Sequence, residues 1–463
     1  MYEIKSSQWL IFALFMWHIT VATGKGLLSR LGDFIRRKHY NETVVNSILS
    51  WLPYIVGSVV TALVAILYAK VFDYINRLSH LVKDNFSWLF FIITPVCLLL
   101  GWWIIKKVSP AASGSGIPQL MAALDPKRDP KKVSTGFLLG GRALVAKFAS
   151  SIVALLGGAV IGREGPMIQI SASIFYIVHK FIPKEWPHID RGRMLIAGGA
   201  AGLAAAFNTP LGGIVFAIEE LSRTSLNSFK SSLLYAVIFS GMTVQWILGP
   251  YLFLGFPKVD AIGFSMLGYV IMFSLITGIA GAYQGKVILQ LIYLKRKLKK
   301  PFLRIVWVGL SGVVLACLFY FNKDVAFGPG KEVMTQILFN TEGKEVTAWL
   351  MLSRYFGAII SYTSGIAGGV FATSLSSGSI IGELLMTLLN LDQENKLLIL
   401  VAMIGFLTGL TRAPFTSSIL VLEMTDRHSA IFMFILAGLI SSVAARVIDK
   451  KSLYERLEWN YLR

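Results

Sequence analysis

Three glycine-rich segments interrupt apolar stretches of this 463-residue chain where a helix can begin: 114–118 (Gly-Ser-Gly-Ile-Pro), 162–166 (Gly-Arg-Glu-Gly-Pro) and 368–372 (Gly-Gly-Val-Phe-Ala). Glycine lets a backbone approach a ligand closely, and proline suits the first helical turn because its missing N–H costs no hydrogen bond there. A helix start presents free amides and about half a positive charge. We therefore predict that these segments bind an anion, with the Ser115 hydroxyl as a further donor.

Glu164 lies inside the second of these segments, so its carboxylate is expected beside amides that attract an anion. An ionised carboxylate competes for such amides, whereas a protonated carboxyl group leaves them. The predicted role of Glu164 is therefore that of a gate and a proton carrier. Two further acids, Glu219 and Glu220, close an apolar stretch that begins near Pro210, and they are candidates for passing protons onward.

The elements that must position these residues are membrane helices. Hydrophobic residues make up 55% of the chain and charged residues 15%, which is too apolar for a soluble protein. The runs 48–68, 87–105 and 305–321 contain no acidic or basic side chain, and a helix needs ~20 residues to cross ~30 Å of hydrocarbon. The sequence predicts an all-α polytopic membrane protein with about a dozen apolar runs, some too short or too glycine-broken to span alone.

Basic residues outnumber acidic ones, 44 to 25, which gives a formal net charge of +19. Many of them lie in short polar segments such as 127–132 and 295–300, as cytoplasmic loops do under the positive-inside rule. No basic patch is interleaved with stacking aromatic residues, which argues against nucleic-acid binding. The two cysteines, Cys97 and Cys317, lie in apolar runs and indicate neither a disulfide framework nor a metal site.

Two stretches of the chain repeat one pattern. Pro210 and Pro414 each follow a polar and a small residue, and a glutamate comes nine positions later, at Glu219 (219 − 210) and Glu423 (423 − 414). The prolines are 204 residues apart (414 − 210), and the second and third glycine-rich segments are offset by 207 (369 − 162). Duplicated halves of transporters are often inverted in the membrane and build a midplane site from helices that stop partway.

These landmarks predict four parts of the chain. Residues 1–40 form an N-terminal interfacial or cytoplasmic segment, within which the apolar stretch 9–22 is interpreted as a retained packing helix rather than a signal peptide. Residues 41–255 form the first transmembrane repeat and residues 256–447 the second. Residues 448–463 form a C-terminal helix.

Taken together, these motifs resemble those of the CLC family of chloride channels and transporters, from about residue 41 to Tyr454. The resemblance implies a CLC-type fold, in which two inverted-topology repeats bring broken helices to a midplane anion site. Thr373 stands where the family usually has proline, and we expect only the fine geometry of that helix start to differ, because threonine is an acceptable cap. By resemblance, the chloride-binding residues come from the three loops and a late helix: Ser115, Gly116, Ile117, Arg163, Glu164, Gly165, Val370, Phe371, Ala372 and Tyr454.

The resemblance also implies roles for single residues outside the loops. Lys147, upstream of the gate, corresponds to a lysine that tunes the electrostatics of the anion pathway. Glu220 resembles the inner proton acceptor of exchangers, at a position where channels often carry an apolar residue. It aligns with Met424 in the second half, whereas Glu219 aligns with Glu423 and is expected to be a structural feature shared by both halves.

The expected function is secondary active exchange of chloride for protons, and the alternative is a passive, voltage- or pH-gated chloride channel with the same site. Ser115 favours chloride, because nitrate-preferring relatives tend to carry proline there and fluoride-handling relatives alter the loop. A membrane enzyme is disfavoured, since the six histidines are scattered and no His-Glu-x-x-His, Gly-x-Ser-x-Gly or P-loop pattern occurs. No cofactor and no metal is expected.

The expected partners are chloride, protons and the lipid bilayer, with no nucleic acid. By resemblance, the protein is expected to be a homodimer with one separate pathway in each subunit. The chain ends nine residues after Tyr454 (463 − 454), without the cytoplasmic regulatory domains of many eukaryotic relatives. The expected location is therefore a bacterial inner membrane, as a multi-pass protein.

Overall fold

The computed structural model describes residues 41–222, 231–259, 263, 266–322, 326–339, 346–392 and 395–462, so the predicted N-terminal segment, 1–40, lies outside the described residues. Within these ranges the chain is helical, and its only β-type pairings are isolated bridges. The α-helices are, in chain order, α1 (Glu42–Phe86), α2 (Phe90–Val108), α3 (Ile117–Leu124), α4 (Thr135–Leu139), α5 (Gly141–Leu156), α6 (Glu164–Lys180), α7 (Arg191–Phe207), α8 (Pro210–Phe216), α9 (Ser231–Leu248), α10 (Leu267–Lys297), α11 (Pro301–Tyr320), α12 (Lys331–Phe339), α13 (Ala348–Thr363), α14 (Phe371–Leu388), α15 (Leu397–Thr411), α16 (Pro414–Thr425), α17 (Ile431–Ile448) and α18 (Leu453–Glu458).

Several helical stretches are long and apolar enough to cross a bilayer. In the described residues there are 6 of them: Glu42–Val108, Thr135–Leu156, Leu267–Lys297, Pro301–Tyr320, Phe371–Leu388 and His428–Ile448. Ser232–Leu248 and Leu397–Thr411 are apolar but shorter. A helix well below ~20 residues cannot span alone. The combination of long and short apolar helices is that of an integral, multi-pass membrane protein.

Burial separates the helices that surround the site from those that face lipid. Every residue of α15 is buried, and α14 is buried along its first ten residues and at Gly382 and Met386. A helix that is apolar all round belongs in the centre of such a protein. In contrast, α11 exposes large apolar side chains such as Phe302 and Leu310, as expected of a helix at the lipid boundary.

Small residues allow the central helices to approach closely. A Cβ added to Gly409 of α15 would overlap the carbonyl oxygen of Gly278 in α10, and one added to Gly281 would overlap the carbonyl oxygen of Phe406. Close backbone approach at glycine is a common way to pack membrane helices, because lipid supplies no hydrophobic drive between them. These contacts pack α10 directly against the buried helix α15.

Helices α8 and α16, which both start with proline, begin in the same way. Asn208 ends α7 and Arg412 ends α15, each in the left-handed conformation, with φ of 57° and 63°. Two residues later, Pro210 starts α8 and Pro414 starts α16. The repeated sequence pattern therefore corresponds to a repeated chain reversal. The repeat boundaries at 41–255 and 256–447 stay a prediction.

Candidate anion site

The three glycine-rich segments meet, although they are far apart in the sequence. The Gly114 amide donates to the Ile366 carbonyl at 2.8 Å, and the Gly114 carbonyl accepts from the Gly368 amide at 3.0 Å. Gly162 and Gly369 exchange two backbone hydrogen bonds of 2.9 and 2.8 Å. The third segment thus joins the first two, and the two glycines that were matched between the halves pair with each other in an antiparallel bridge.

Three helices begin at this junction: α3 at Ile117, α6 at Glu164 and α14 at Phe371. Gly116, which precedes α3, has a φ of 101°, and a Cβ there would lie 2.8 Å from the Gln169 side-chain oxygen. This position therefore requires glycine both for its conformation and for its space. First-turn amides have no partner within their own helix, so three sets of N–H donors come together here.

Two buried hydroxyl groups lie among these helix starts. Ser115 and Tyr454 are fully buried and their hydroxyl groups lie near each other, but neither hydroxyl oxygen makes a hydrogen bond of good geometry in the described part of the chain. A Cβ on Gly165 would lie 2.6 Å from Ser115 Oγ, so only glycine lets the start of α6 come this close. The Tyr454 ring stacks on Phe371, with 6.1 Å between centroids and 14° between planes. A buried donor without a partner is costly unless a ligand satisfies it.

Glu164 is buried at the first position of α6. Its carboxylate turns back over Gly162, where any Cβ would overlap Oε2, and it faces the backbone amides of Glu164 and Ala372. The carboxylate therefore lies across the starts of α6 and α14, and Oε2 itself has no partner among the described residues. A side-chain anion already sits against the donors that a free anion would need.

Lys147 and Arg163 act on the surroundings of the site. Lys147, fully buried in α5, donates from Nζ to the Gly114 carbonyl at 2.7 Å, so its amino group is held against the first glycine-rich segment. The Arg163 side chain pairs with α1, with Nη1 2.9 Å from Asp73 Oδ1 and 3.3 Å from the Ala69 carbonyl. Arg163 also lies within electrostatic range of Glu164, so its charge contributes to the surroundings of the site.

A family model described as "Voltage gated chloride channel" matches residues 96–446, which is more than half of the chain. The chain belongs to this CLC family. A solved structure of a slow cyanobacterial Cl⁻/H⁺ antiporter is 22% identical with a TM-score of 0.78, and the match covers 89% of this chain and 98% of that one. A CLC-type fluoride/proton antiporter is 18% identical with a TM-score of 0.72, and the match covers 90% of this chain and 98% of that one. A eukaryotic CLC transporter is 21% identical with a TM-score of 0.69, and the match covers 89% of this chain and 74% of that one.

These matches make the fold an all-α polytopic CLC fold, as the sequence motifs predicted. At the altered helix start, Thr373 is not a cap: Val370 holds the cap position, and the Thr373 hydroxyl lies in the first turn and donates to the Val370 carbonyl at 3.1 Å. The helix still begins at Phe371. The expectation that threonine would cap this helix was therefore wrong, although the helix start is present.

The paired acids after α8 have different surroundings. Glu219 Oε1 accepts from the Phe415 amide at 3.2 Å, and Oε2 accepts from the amide and the hydroxyl of Thr416, both at 2.7 Å. Glu423 does the same for the first half, accepting from the amides of Leu211 and Gly212 at 3.0 and 2.6 Å. Each glutamate thus caps the helix start of the other half, and α8 and α16 run antiparallel. The expectation that Glu219 and Glu423 share a structural role is confirmed.

Glu220 is buried in the short π-helical turn Ala217–Leu221 that continues α8. Tyr454 is within electrostatic range of both Glu220 and Glu164. In the described residues no group of three or more His, Cys, Asp or Glu side chains is placed to hold a metal ion.

Sequence reasoning missed two residues that shape this site. Tyr362, buried in α13, has its hydroxyl oxygen 3.4 Å from the Ser115 amide, which donates to it. Asp73 holds the Arg163 side chain, as described above. Asp73 could have been recognised from the sequence, because it is an acidic residue inside the long apolar helix α1. No local pattern marks Tyr362, because its role depends on the approach of α13 to the first loop.

Proposed function

We propose that this protein is a secondary active antiporter that exchanges chloride for protons across a membrane, without covalent chemistry. The observation that carries this proposal is the Glu164 carboxylate, which lies across two helix starts beside the buried Ser115 hydroxyl. Two of the structurally similar proteins are, by their descriptions, proton-coupled antiporters, one for chloride and one for fluoride. At such low sequence identity these matches support the fold only. The coupling of chloride transport to proton transport is therefore proposed from the geometry of the site.

Chloride binding would replace the water that the ion loses inside the membrane. Amides at the starts of α3, α6 and α14 supply partial positive charge, and Ser115 and Tyr454 supply hydroxyl donors. None of these groups is a full cation in direct contact with the ion, so the ion is held without being trapped. Lys147 does not contact the ion directly, because its Nζ donates to the carbonyl of Gly114.

Proton transfer would follow from competition at the same donors. Ionised Glu164 occupies the amides, and chloride enters when the carboxyl group is protonated and released from them. Glu220, which is buried and within electrostatic range of Tyr454, would receive or supply the proton at the opposite face of the membrane. Chloride and a proton therefore alternate at one place, which is the requirement for exchange.

A passive chloride channel is the second candidate, and the printed description of the matching family model, "Voltage gated chloride channel", favours it. The two functions separate in one experiment on purified protein in liposomes. Under crossed chloride and proton gradients, the reversal potential of an exchanger shifts with both gradients, whereas that of a channel follows chloride alone. A reversal potential insensitive to pH in the wild-type protein would contradict the exchange proposal.

The proposal that chloride is the preferred anion rests on Ser115. Replacing Ser115 by proline removes a hydroxyl donor and changes the loop, so chloride should weaken relative to nitrate. The measurement is the flux ratio of the two anions in liposomes, with Ser113→Pro, in the same loop, as a comparison for loop damage. Unchanged selectivity in Ser115→Pro would contradict the role of this hydroxyl.

The assembly is proposed to be a homodimer with an independent pathway in each subunit, in a bacterial inner membrane. Mass measurement of the detergent-solubilised protein tests the dimer. Mixed dimers with one Glu164→Gln subunit test independence, since half of the proton transport should remain. Complete loss of proton transport in the mixed dimers would contradict separate pathways.

A further inference from the structure

A cavity of about 460 Å³ lies at the far end of α3 from the anion site. This helix starts at Ile117 beside the site and ends at Leu124 in the wall of the cavity, about 10 Å away at 1.5 Å per residue. The lining, as far as the structure describes it, contains no residue of the three glycine-rich segments and not Tyr454. The volume is within the range of ligand pockets, roughly 300–1,000 Å³. The cavity is therefore a candidate site that is separate from the anion site.

Three parts of the chain form the walls of this cavity: the loop after α3, the last turn of α6 and the start of α7. His179 Nε2 donates to the Ile189 carbonyl at 3.1 Å, which joins the last turn of α6 to the segment before α7. The imidazole rings of His179 and His188 both belong to the lining. The hydrogen bond between the two segments gives the cavity a wall that is fixed by backbone contact.

Arg128, in the loop after α3, is a buried cation with unused donors. The residue is only 7% exposed, and its Nη2 donates to the Thr135 hydroxyl oxygen at 3.0 Å. Its Nε and Nη1 have no hydrogen-bond partner in the described part of the chain. Leaving donors of a buried charged group unpaired is costly. An acceptor on a ligand in the cavity would satisfy them.

Positive charge gathers around Arg128. Arg191 occupies the first position of α7, lines the same cavity and lies within electrostatic range of Arg128. Burial and the charge of Arg191 both lower the pKa of Arg128. A cation at a helix start is itself unfavourable, because the start already carries free amides and partial positive charge. An anion among the two guanidinium groups and the start of α7 would relieve all of these repulsions.

Two carboxylates in the lining limit how much negative charge the ligand can carry. Asp125 Oδ1 accepts from the Lys127 amide at 2.7 Å, and Asp190 Oδ1 accepts from the Arg193 amide at 2.9 Å as the cap of α7. Both carboxylates therefore have backbone partners. They offset the charge of the two arginines, so the cavity suits a small anion better than a polyphosphate.

The cavity lies at the membrane surface. The spanning stretch that follows the loop begins at Thr135, the residue that accepts from Arg128. The same loop carries three exposed lysines, Lys127, Lys131 and Lys132. Basic loops of this kind belong on the cytoplasmic side by the positive-inside rule. A ligand at this depth can come from the cytoplasm or from the lipid headgroups.

We propose that this cavity binds the phosphate group of a small anionic ligand, supplied by a soluble phosphate compound or by a lipid headgroup. Arg128 and Arg191 would hold the phosphate oxygens, because a guanidinium group matches their geometry. Amides at the start of α7 add further donors. The proposal is independent of chloride/proton exchange, and its test requires no transport assay.

The test measures binding to the full-length protein in a neutral detergent, at constant ionic strength and with a constant excess of chloride to occupy the anion site. In one arm inorganic phosphate is titrated by calorimetry. In the other arm native mass spectrometry counts bound phosphatidic acid, with diacylglycerol of the same acyl chains as the reference without phosphate. Saturable binding of inorganic phosphate identifies a soluble ligand, and binding of phosphatidic acid alone identifies a lipid headgroup. Binding of neither probe overturns the proposal.

Single variants place the ligand in the cavity. Arg191→Gln and Arg128→Gln should each weaken binding of the phosphate probe about tenfold. Arg191 is exposed, so its variant keeps the test available if the buried Arg128→Gln fails to fold. The control is Lys131→Gln, which removes an exposed charge from the same loop outside the lining and should leave binding within about twofold. Equal weakening in Lys131→Gln and Arg191→Gln would reduce the effect to general surface charge and overturn the site.

Asp125→Asn tests the sign of the ligand charge. The asparagine oxygen can still accept from the Lys127 amide, whereas the negative charge is lost. Binding of the phosphate probe should tighten about threefold, because a like charge leaves the lining. General damage to the loop would weaken binding instead. Unchanged or weaker binding in Asp125→Asn would contradict an anion at this place.

Discussion

Helices α8 and α16 are built alike and end differently. Each follows a left-handed residue, begins with proline and carries a glutamate nine positions later that caps the other helix. After Glu219 comes the buried acid Glu220, in a π-helical turn, whereas Glu423 is followed by the buried apolar Met424, in a regular α-helix. The shared glutamates join the halves, and the difference places an ionisable group on one side only.

The same asymmetry occurs at the anion site. Gly162 and Gly369 pair with each other, and two residues beyond each comes the first residue of a helix, Glu164 in α6 and Phe371 in α14. These two residues are 207 positions apart (371 − 164), the offset of the glycine pair. Both acids of the proposed proton path thus belong to the first half, and both counterparts are apolar. The paired helix starts are alike in backbone, and two acids distinguish one from the other.

The largest effect is expected from neutralising Glu164, whose counterpart in the second half is the uncharged residue Phe371. Glu164→Gln should abolish proton transport while chloride still moves, because a neutral amide carries no proton and does not compete as an anion. Proton uptake driven by a chloride gradient in liposomes measures this loss. Proton pumping at the wild-type level in Glu164→Gln would contradict the gate.

Glu220→Gln tests the asymmetry between Glu220, after α8, and its counterpart Met424 in α16. Proton transport should stop and passive chloride flux should remain, because the loops around Ser115 and the Tyr454 hydroxyl are untouched. The matched control is Met424→Leu, a change of similar volume at the equivalent position, which should keep both fluxes. Coupled transport in Glu220→Gln equal to that of the control would remove this residue from the proton path.

The capping pair should affect stability more than transport. Glu219→Gln and Glu423→Gln each lose charge-assisted bonds to a helix start, and each should lower the free energy of unfolding by about 1–2 kcal/mol. Glu219 accepts three such bonds and Glu423 two, so Glu219→Gln should cost more. Denaturant unfolding in mild detergent measures both. Loss of coupling in Glu219→Gln with coupling retained in Glu220→Gln would reverse the assignment of the adjacent acids.

The smallest effect is expected at Tyr454, which belongs to α18 and to neither α8 nor α16. Tyr454→Phe keeps the stacking on Phe371 and removes one donor, so chloride affinity should fall about fivefold, corresponding to ~1 kcal/mol. Calorimetric titration with chloride measures the change. Tyr355→Phe, which removes a hydroxyl bonded to the Ala280 carbonyl, serves as control. Equal chloride affinity in wild type and Tyr454→Phe would exclude the hydroxyl as a ligand.

Much of the site could be predicted from the sequence because its parts are local signals. Helix starts at 114–118 and 162–166 are marked by glycine and proline, and the one at 368–372 by glycine alone; the backbone preferences of these residues act over a few positions. The membrane class follows from composition, which needs no contacts at all. Glu164 stood out because an acid at membrane depth is rare.

Tertiary structure alone decided which of these parts meet. The bonds from Gly114 to Ile366 and from Glu219 to Thr416 join residues about 200 to 250 positions apart, and no short pattern specifies such pairs. The same holds for Asp73, which pairs with the Arg163 side chain 90 positions later in the chain. Local sequence determined where helices begin and which chemical groups stand there. Their convergence depended on close packing of buried helices, where glycine at a few contacts sets how near two backbones can come.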